Sequence, residues 1–220
     1  MLRAVRSVKK TPVDDSAHEI ALSVRLSRVW IKQCDILGPV SLDVQRGDTI
    51  ALTGPSGAGK STLLRVIAGI HTEYDGTVRA PKRIAVVFQE PHLLPWRSAI
   101  DNVTIATGCD RDVASYWLKA VGLEGHANKY PNHLSLGEQR RLSLARAFAA
   151  TPDLLLMDEP FVSLDAKLAD EMMALSQSLI SEHSVTTVLV THVDTEARRM
   201  ARRQMRLLGR PAQLTHTTNI

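Results

Sequence analysis

Cysteine is almost missing from this chain: Cys34 and Cys109 are the only two, and neither belongs to a CxxC or Cys/His pairing. That excludes a disulfide framework and a zinc site, and leaves two thiols expected to be buried or inert. Long apolar runs are also missing. Leu154-Leu155-Leu156-Met157 is far too short to cross a bilayer, and no apolar signal-peptide core follows Met1, so the chain is expected to stay in the cytoplasm. Nor is there a large charge excess. With 27 Lys and Arg against 23 Asp and Glu the net charge is +4, too weak by itself to argue for nucleic acid. What is present is the even apolar and charged mix of one globular domain, in 220 residues long enough to bury a full core. Residues 1–17 are basic and poorly patterned and read as a loose arm. Residues 18–220 read as the domain.

Gly54-Pro55-Ser56-Gly57-Ala58-Gly59-Lys60-Ser61 fits the pattern G-x-x-x-x-G-K-S/T at every fixed position. The β-branched run Thr49–Thr53 before it has strand character, and Ser61–Ala68 after it has helical apolar spacing. This is the strand-loop-helix setting of a triphosphate cradle. The glycines let successive backbone N–H groups turn inward on phosphate oxygens, and the new helix adds its positive end. Lys60 reaches the β- and γ-phosphates in such a loop, and the Ser61 hydroxyl ligates Mg²⁺.

Upstream, the alternation Ile20, Leu22, Val24, Leu26 predicts a half-buried strand, and Val40–Val44 a second, both in a small antiparallel sheet near the cradle. Trp30 ends the first strand. It stacks on a purine face or packs ordinarily, and both readings stand. Downstream, Asp75-Gly76 reads as a turn, Thr77–Arg79 as a short strand, and Ile84–Phe88 as an apolar strand ending in Gln89. An amide there meets Mg²⁺, water or the γ-phosphate, or merely caps backbone groups.

Residues from about 90 to 150 change character and read as a helical insertion, with helices through Ala99–Thr107 and Asp112–Val121 and breakers from His126 to His133. His92, His126 and His133 lack the spacing of metal ligands and are assigned surface or packing roles. Leu93-Leu94-Pro95-Trp96 suits a loop-borne knob for docking a partner. Ser135 and Glu138 form a capping box for a helix to about Ala150. Capping alone accounts for them; a second phosphate contact at the same helix N-terminus is the functional reading.

Leu154–Glu159 is a buried parallel-type strand ending in two acids. Asp158 suits a Mg²⁺ ligand and Glu159 the group that polarises an attacking water, against the plainer reading of a structural ion pair. Ser163-Leu164-Asp165 turns into a helix reaching about Glu182, and the strand Val185–Val190 leads to His192. From Arg198 to Arg210 six arginines alternate with apolar residues, as a solvated helix face followed by an edge strand, or as a contact for anionic lipid or acidic protein.

Taken together, residues from about Ile20 to Leu214 resemble the nucleotide-binding subunit of an ATP-binding cassette transporter. The motifs are the phosphate loop Gly54 to Ser61, the Q-loop Gln89, the signature Leu134-Ser135-Leu136-Gly137-Glu138, the strand ending in Asp158 with Glu159 behind it, the D-loop Ser163-Leu164-Asp165, and the switch histidine His192. The signature departs from the usual L-S-G-G-Q at Leu136 and Glu138. The resemblance implies an α/β P-loop NTPase with a mostly parallel core sheet, a small antiparallel β-subdomain and an inserted helical subdomain.

It implies catalysis by Glu159, His192, Gln89 and Lys60. ATP would be held by Gly54, Pro55, Ser56, Gly57, Ala58, Gly59, Lys60, Ser61, Thr62 and Trp30 of one subunit and by Ser135, Gly137 and Glu138 of a second copy. Mg²⁺ would be held by Ser61, Gln89 and Asp158. The partners implied are that second copy in a head-to-tail ATP sandwich, membrane permease subunits and, indirectly, an extracytoplasmic solute-binding protein, with no nucleic acid. The place implied is the cytoplasmic face of a bacterial inner membrane. Phe88-Gln89 with Leu94-Pro95-Trp96 is similar to importers of the nitrate, sulfonate and taurine group. The alternative is a soluble cassette ATPase acting on a ribosomal or DNA partner.

Overall fold

The computed structural model describes residues 19–216, so the arm expected over residues 1–17 lies outside the described residues. The chain opens on β1 (Ile20–Ile31), whose residues Leu22, Val24 and Leu26 are buried on alternate positions. A register shift after Leu26 lets the strand run on to Val29 and Trp30, beyond the alternation visible in sequence. Lys32 and Gln33 both take left-handed φ (47° and 67°), as a two-residue primed hairpin turn requires. They fold β2 (Cys34–Leu37) back on β1, and β3 (Val40–Gln45) lies antiparallel to β1 further along. Cys34, expected buried or inert, is exposed at the start of this hairpin arm; Cys109 is partly covered.

Next come β4 (Thr49–Thr53), the glycine loop and α1 (Lys60–Ile67). The turn expected at Asp75-Gly76 is instead part of β5 (Tyr74–Arg79), antiparallel to β1. Gly76 has φ +137°, and a Cβ there would sit 2.1 Å from the Arg25 carbonyl oxygen, so a glycine irregularity inside the ladder had mimicked a turn. After β6 (Ile84–Val87) the chain makes α2 (Ala99–Thr107), α3 (Arg111–Ala120), two short 3₁₀ turns (Glu124–His126 and Pro131–His133) and α4 (Leu136–Ala149). Ser98, Asp110 and Ser135 cap these helices with their side chains.

β7 (Leu154–Asp158), α5 (Ala166–Glu182), β8 (Thr186–Val190), α6 (Asp194–Met200), β9 (Arg203–Gly209) and β10 (Ala212–His216) complete the described chain. Strands β6, β7, β8 and β4 lie side by side and parallel, and all five residues of β7 and of β8 are buried. Burial on both faces is what their unbroken apolar and β-branched runs dictate. β9 adds parallel to β4, and β10 pairs antiparallel with β9 and touches β2 at Ala212–Leu37, giving one ten-stranded sheet. The strand expected at an edge is therefore internal. Met205 and Leu207 fill the core while Arg206 faces out, and β10 supplies the neighbour that the arginine-rich sequence did not announce.

Apolar packing divides at the sheet. One cluster joins β1–β4 to Leu63, Leu64, Val66 and Ile67 of α1, while the other joins α2–α5 through Trp117, Leu118, Leu142 and Phe148. Fully burying each such side chain contributes about 1.5–3 kcal/mol.

Candidate active site

The parallel order β4-β8-β7-β6 sets four strand ends in a row, and sheets of this class place ligands at that edge. β4 runs into the glycine loop, β8 reaches His192, β7 ends in Asp158 and Glu159, and β6 leads to Gln89.

The loop needs glycine at two points for different reasons. At Gly54 (φ +142°) a Cβ would lie 2.5 Å from the Leu207 carbonyl oxygen; at Gly59 (φ +87°) it would lie 2.7 Å from Leu37 Cδ2. Gly59 caps α1 without any side-chain bond, and no acid occupies the first helical turn. The first N–H groups of α1 therefore have no side-chain capping oxygen and no acid on their own turn, which leaves them free for an anion.

Lys60 is 4% exposed, with Nζ donating to the carbonyl oxygens of Gly54 (2.9 Å) and Pro55 (3.0 Å) and lying 3.7 Å from Glu159 Oε1. The ammonium is bent back over its own loop. Ser61 Oγ donates to Asp158 Oδ1 at 2.8 Å. Burial pushes the Asp158 carboxyl up from its ordinary value, against the opposing Ser61 hydrogen bond, and nearby Glu159 adds to the rise. A hydroxyl and a desolvated carboxylate are hard oxygen donors, the chemistry that Mg²⁺ selects.

Glu159 has φ +47°, a left-handed conformation that costs a non-glycine residue about 1–3 kcal/mol. Its N–H donates to the Val190 carbonyl at 2.9 Å, and its Oε1 lies 3.3 Å from His192 Nδ1. Backbone strain thus lifts this side chain off the sheet and between Lys60 and His192.

Three groups near the strand ends escaped sequence reasoning. Buried Thr191 donates to Glu196 Oε2 at 2.5 Å and accepts from the Val193 N–H at 3.1 Å, which braces the turn bearing His192. Burial pushes the Glu196 carboxyl up, opposed by the Thr191 bond. On α4, Arg140 reaches the carbonyls of Phe88 (3.4 Å) and Val162 (3.3 Å), and Arg146 those of Pro91 (2.7 Å) and His92 (2.8 Å). Desolvation lowers the pKa of both guanidiniums. The segment after β6 is thereby tied to the helix that carries the signature. Two arginines on a helix read as solvated, so only the apolar neighbours of Arg146 in sequence, Leu142, Leu144, Ala145, Ala147 and Phe148, hint at burial.

Gln89 is exposed and stands outside the contacts that join Ser61 to Asp158 and Glu159 to Lys60 and His192. Beyond it, buried Asn102 bonds the Leu94 N–H (2.7 Å) and carbonyl (3.1 Å), fixing a loop whose Trp96 is 68% exposed. Trp30 sits on β1 opposite Asp35, one hairpin away from the Leu37 that presses on Gly59. The Arg28 guanidinium covers its ring at 4.6 Å, itself held by Asp35 at 3.0 Å. Ser135, Gly137 and Glu138 lie at the start of α4: the capping box is closed, with Glu138 Oε2 accepting from the Ser135 N–H at 2.6 Å, and Glu138 Oε1 lies 2.9 Å from His126 Nε2. Hydrogen bonding to Ser135 holds the Glu138 carboxyl below its usual range.

A glycine cradle between a buried strand and a helix, facing an acid-ended parallel neighbour, defines the α/β P-loop NTPase class. Within it, the family model described as ABC transporter matches residues 37–162, more than half of the sequence, and the chain belongs to that family. Among curated relatives, it is 37% identical to aliphatic sulfonates import ATP-binding protein SsuB 2 of Pseudomonas syringae pv. tomato, over 89% of this chain and 85% of that one. It is 41% identical to SsuB 3 of Paraburkholderia xenovorans, over 91% and 81% respectively. Among solved structures, the dimeric post-hydrolysis state of the ATP-binding cassette MJ0796 bound to ADP and Pi superposes with TM-score 0.79 at 28% identity, covering 90% of this chain and all of that one. An ABC transporter in an inward-facing conformation superposes with TM-score 0.80 at 26% identity, over 90% and 84%.

Proposed function

We propose that this chain is the ATP-hydrolysing subunit of a bacterial importer for small sulfonates or chemically similar anions, working as a head-to-tail pair beneath membrane permease subunits. The observation that carries the reading is the meeting of Lys60, Ser61–Asp158 and Glu159–His192 at one sheet edge. The sulfonate-import relatives favour it over a soluble cassette acting on ribosomes or DNA.

In this reading Lys60 exchanges the Gly54 and Pro55 carbonyls for β- and γ-phosphate oxygens, and the N–H groups of the loop and of α1 take the remainder. Ser61 and Asp158 would hold Mg²⁺, which would supply charge neutralisation for the phosphate tail. Trp30 offers the adenine the ring face that Arg28 does not cover. Glu159 orients and polarises the attacking water, with His192 fixing its carboxylate, so that catalysis is positioning plus electrostatics. The N-terminus of α4, with Ser135 and Gly137, closes on the nucleotide of the second subunit, and Gln89 with the Leu93–Trp96 loop carries that closure to the permease. An extracytoplasmic solute-binding protein delivers the cargo, and the subunit lies peripherally on the cytoplasmic membrane face.

The test is capture of the Glu159→Gln variant from native membranes with ATP present, followed by mass spectrometry. A co-purifying integral membrane permease supports the reading; ribosomal, DNA-bound or soluble partners alone overturn it.

A further inference from the structure

Glu138 is a problem for the site just described. It stands third in α4, where a carboxylate is welcome to the helix itself but repels a polyanionic phosphate tail approaching the same N-terminus. The structure shows the carboxylate fully engaged within its own subunit. One oxygen accepts from the Ser135 N–H at 2.6 Å, and the other lies 2.9 Å from His126 Nε2, both side chains being 28% exposed. Lys129 adds positive charge nearby. His126 stands on the 3₁₀ turn Glu124–His126, outside the helix, and its other ring nitrogen is buried without a partner. Glu138 is therefore the one polar group its ring serves among the described residues. The packing role assigned to His126 from sequence leaves this contact out.

We infer that His126 is a positioning residue for the second nucleotide contact: it holds Glu138 back against its own helix, so that the N-terminus of α4 can approach the phosphates bound by the other subunit. The inference rests on the proposed head-to-tail pairing. Without His126 the carboxylate keeps its charge, loses one of its two anchors and is free to turn toward the incoming phosphate. Neutralising Glu138 removes the need for the anchor.

The experiment is ATP-driven dimerisation, followed by light scattering in the Glu159→Gln background. If that background stays monomeric with ATP, the head-to-tail reading falls and the inference with it. If it dimerises, adding His126→Ala should raise the ATP concentration for half-dimerisation about tenfold, the effect of one poorly screened charge at close range, with ATP binding to the monomer unchanged. Adding Glu138→Gln to that variant should bring the value back to within about twofold, and His126→Gln, which keeps a donor, should resemble the background. No effect of His126→Ala, or a loss that Glu138→Gln fails to reverse, would show that His126 only supports the fold of its turn.

Discussion

The Ser61 hydroxyl donates to the Asp158 carboxylate at 2.8 Å although the two stand 97 positions apart in the chain. That bond joins the first turn of α1 to the end of β7, and it is made by the two residues with the chemistry to share a hard cation.

Asp158 should make the nucleotide-free protein pH-sensitive. Its native pKa is raised above the ordinary 3.8 by burial, so the associated stability is fully present below that value and is lost as pH rises through the native value. Glu196 acts in the same direction, while the lowered Asp43, Asp153 and Glu138 act oppositely. Asp158→Asn should raise the melting temperature near neutral pH by a few degrees, about what 1 kcal/mol gives a domain this size, and the gain should vanish in acid. It should also abolish the additional stabilisation by Mg²⁺ with ATP. Thermal scans across pH that coincide for the two proteins would contradict this.

Lys60→Ala should weaken ATP binding at least about 30-fold, the lower end for deleting one partner of a buried charge pair. Titration calorimetry reads it directly. Wild-type affinity in the variant would mean that the loop is no phosphate cradle.

Trp30→Ala should cost about 1–3 kcal/mol of adenine nucleotide affinity, and Trp30→Phe much less, if the ring stacks on the base. Equal affinity in all three proteins would return Trp30 to ordinary packing beside Arg28.

Ser135→Ala separates capping from phosphate contact. Loss of the cap costs about 0.5–2 kcal/mol of stability. The further expectation is that hydrolysis falls while ATP binding by the monomer holds; parallel losses in both would leave helix capping as its whole role.

Much of the site was legible in sequence because its residue types are constrained one by one. Gly54, Gly59, Lys60, Asp158 and Glu159 each follow an apolar strand at a spacing that few other structures demand, and the strand runs themselves betray burial. The fold was less legible where long-range pairing decides. β2 and β10 are short, and β10 meets β2 at a single residue pair, Ala212 with Leu37, so neither leaves a periodic trace. β9 carries Arg203 and Arg206 yet lies inside the sheet, because side chains project from the faces of a sheet and do not reveal whether a neighbouring strand exists. Arg140, Arg146 and the Thr191–Glu196 bond are similarly hidden: each polar group looks solvated until the backbone it serves is brought to it.

Glu159 is held in a left-handed turn between Lys60 and His192, where the proposed hydrolysis needs its carboxylate. Steady-state ATPase turnover of Glu159→Gln, measured beside its ATP affinity, tests that role. Turnover should fall by about 10²–10⁴, the range for losing a positioned base, with affinity preserved. Unchanged turnover would remove Glu159 from the chemistry and contradict the account.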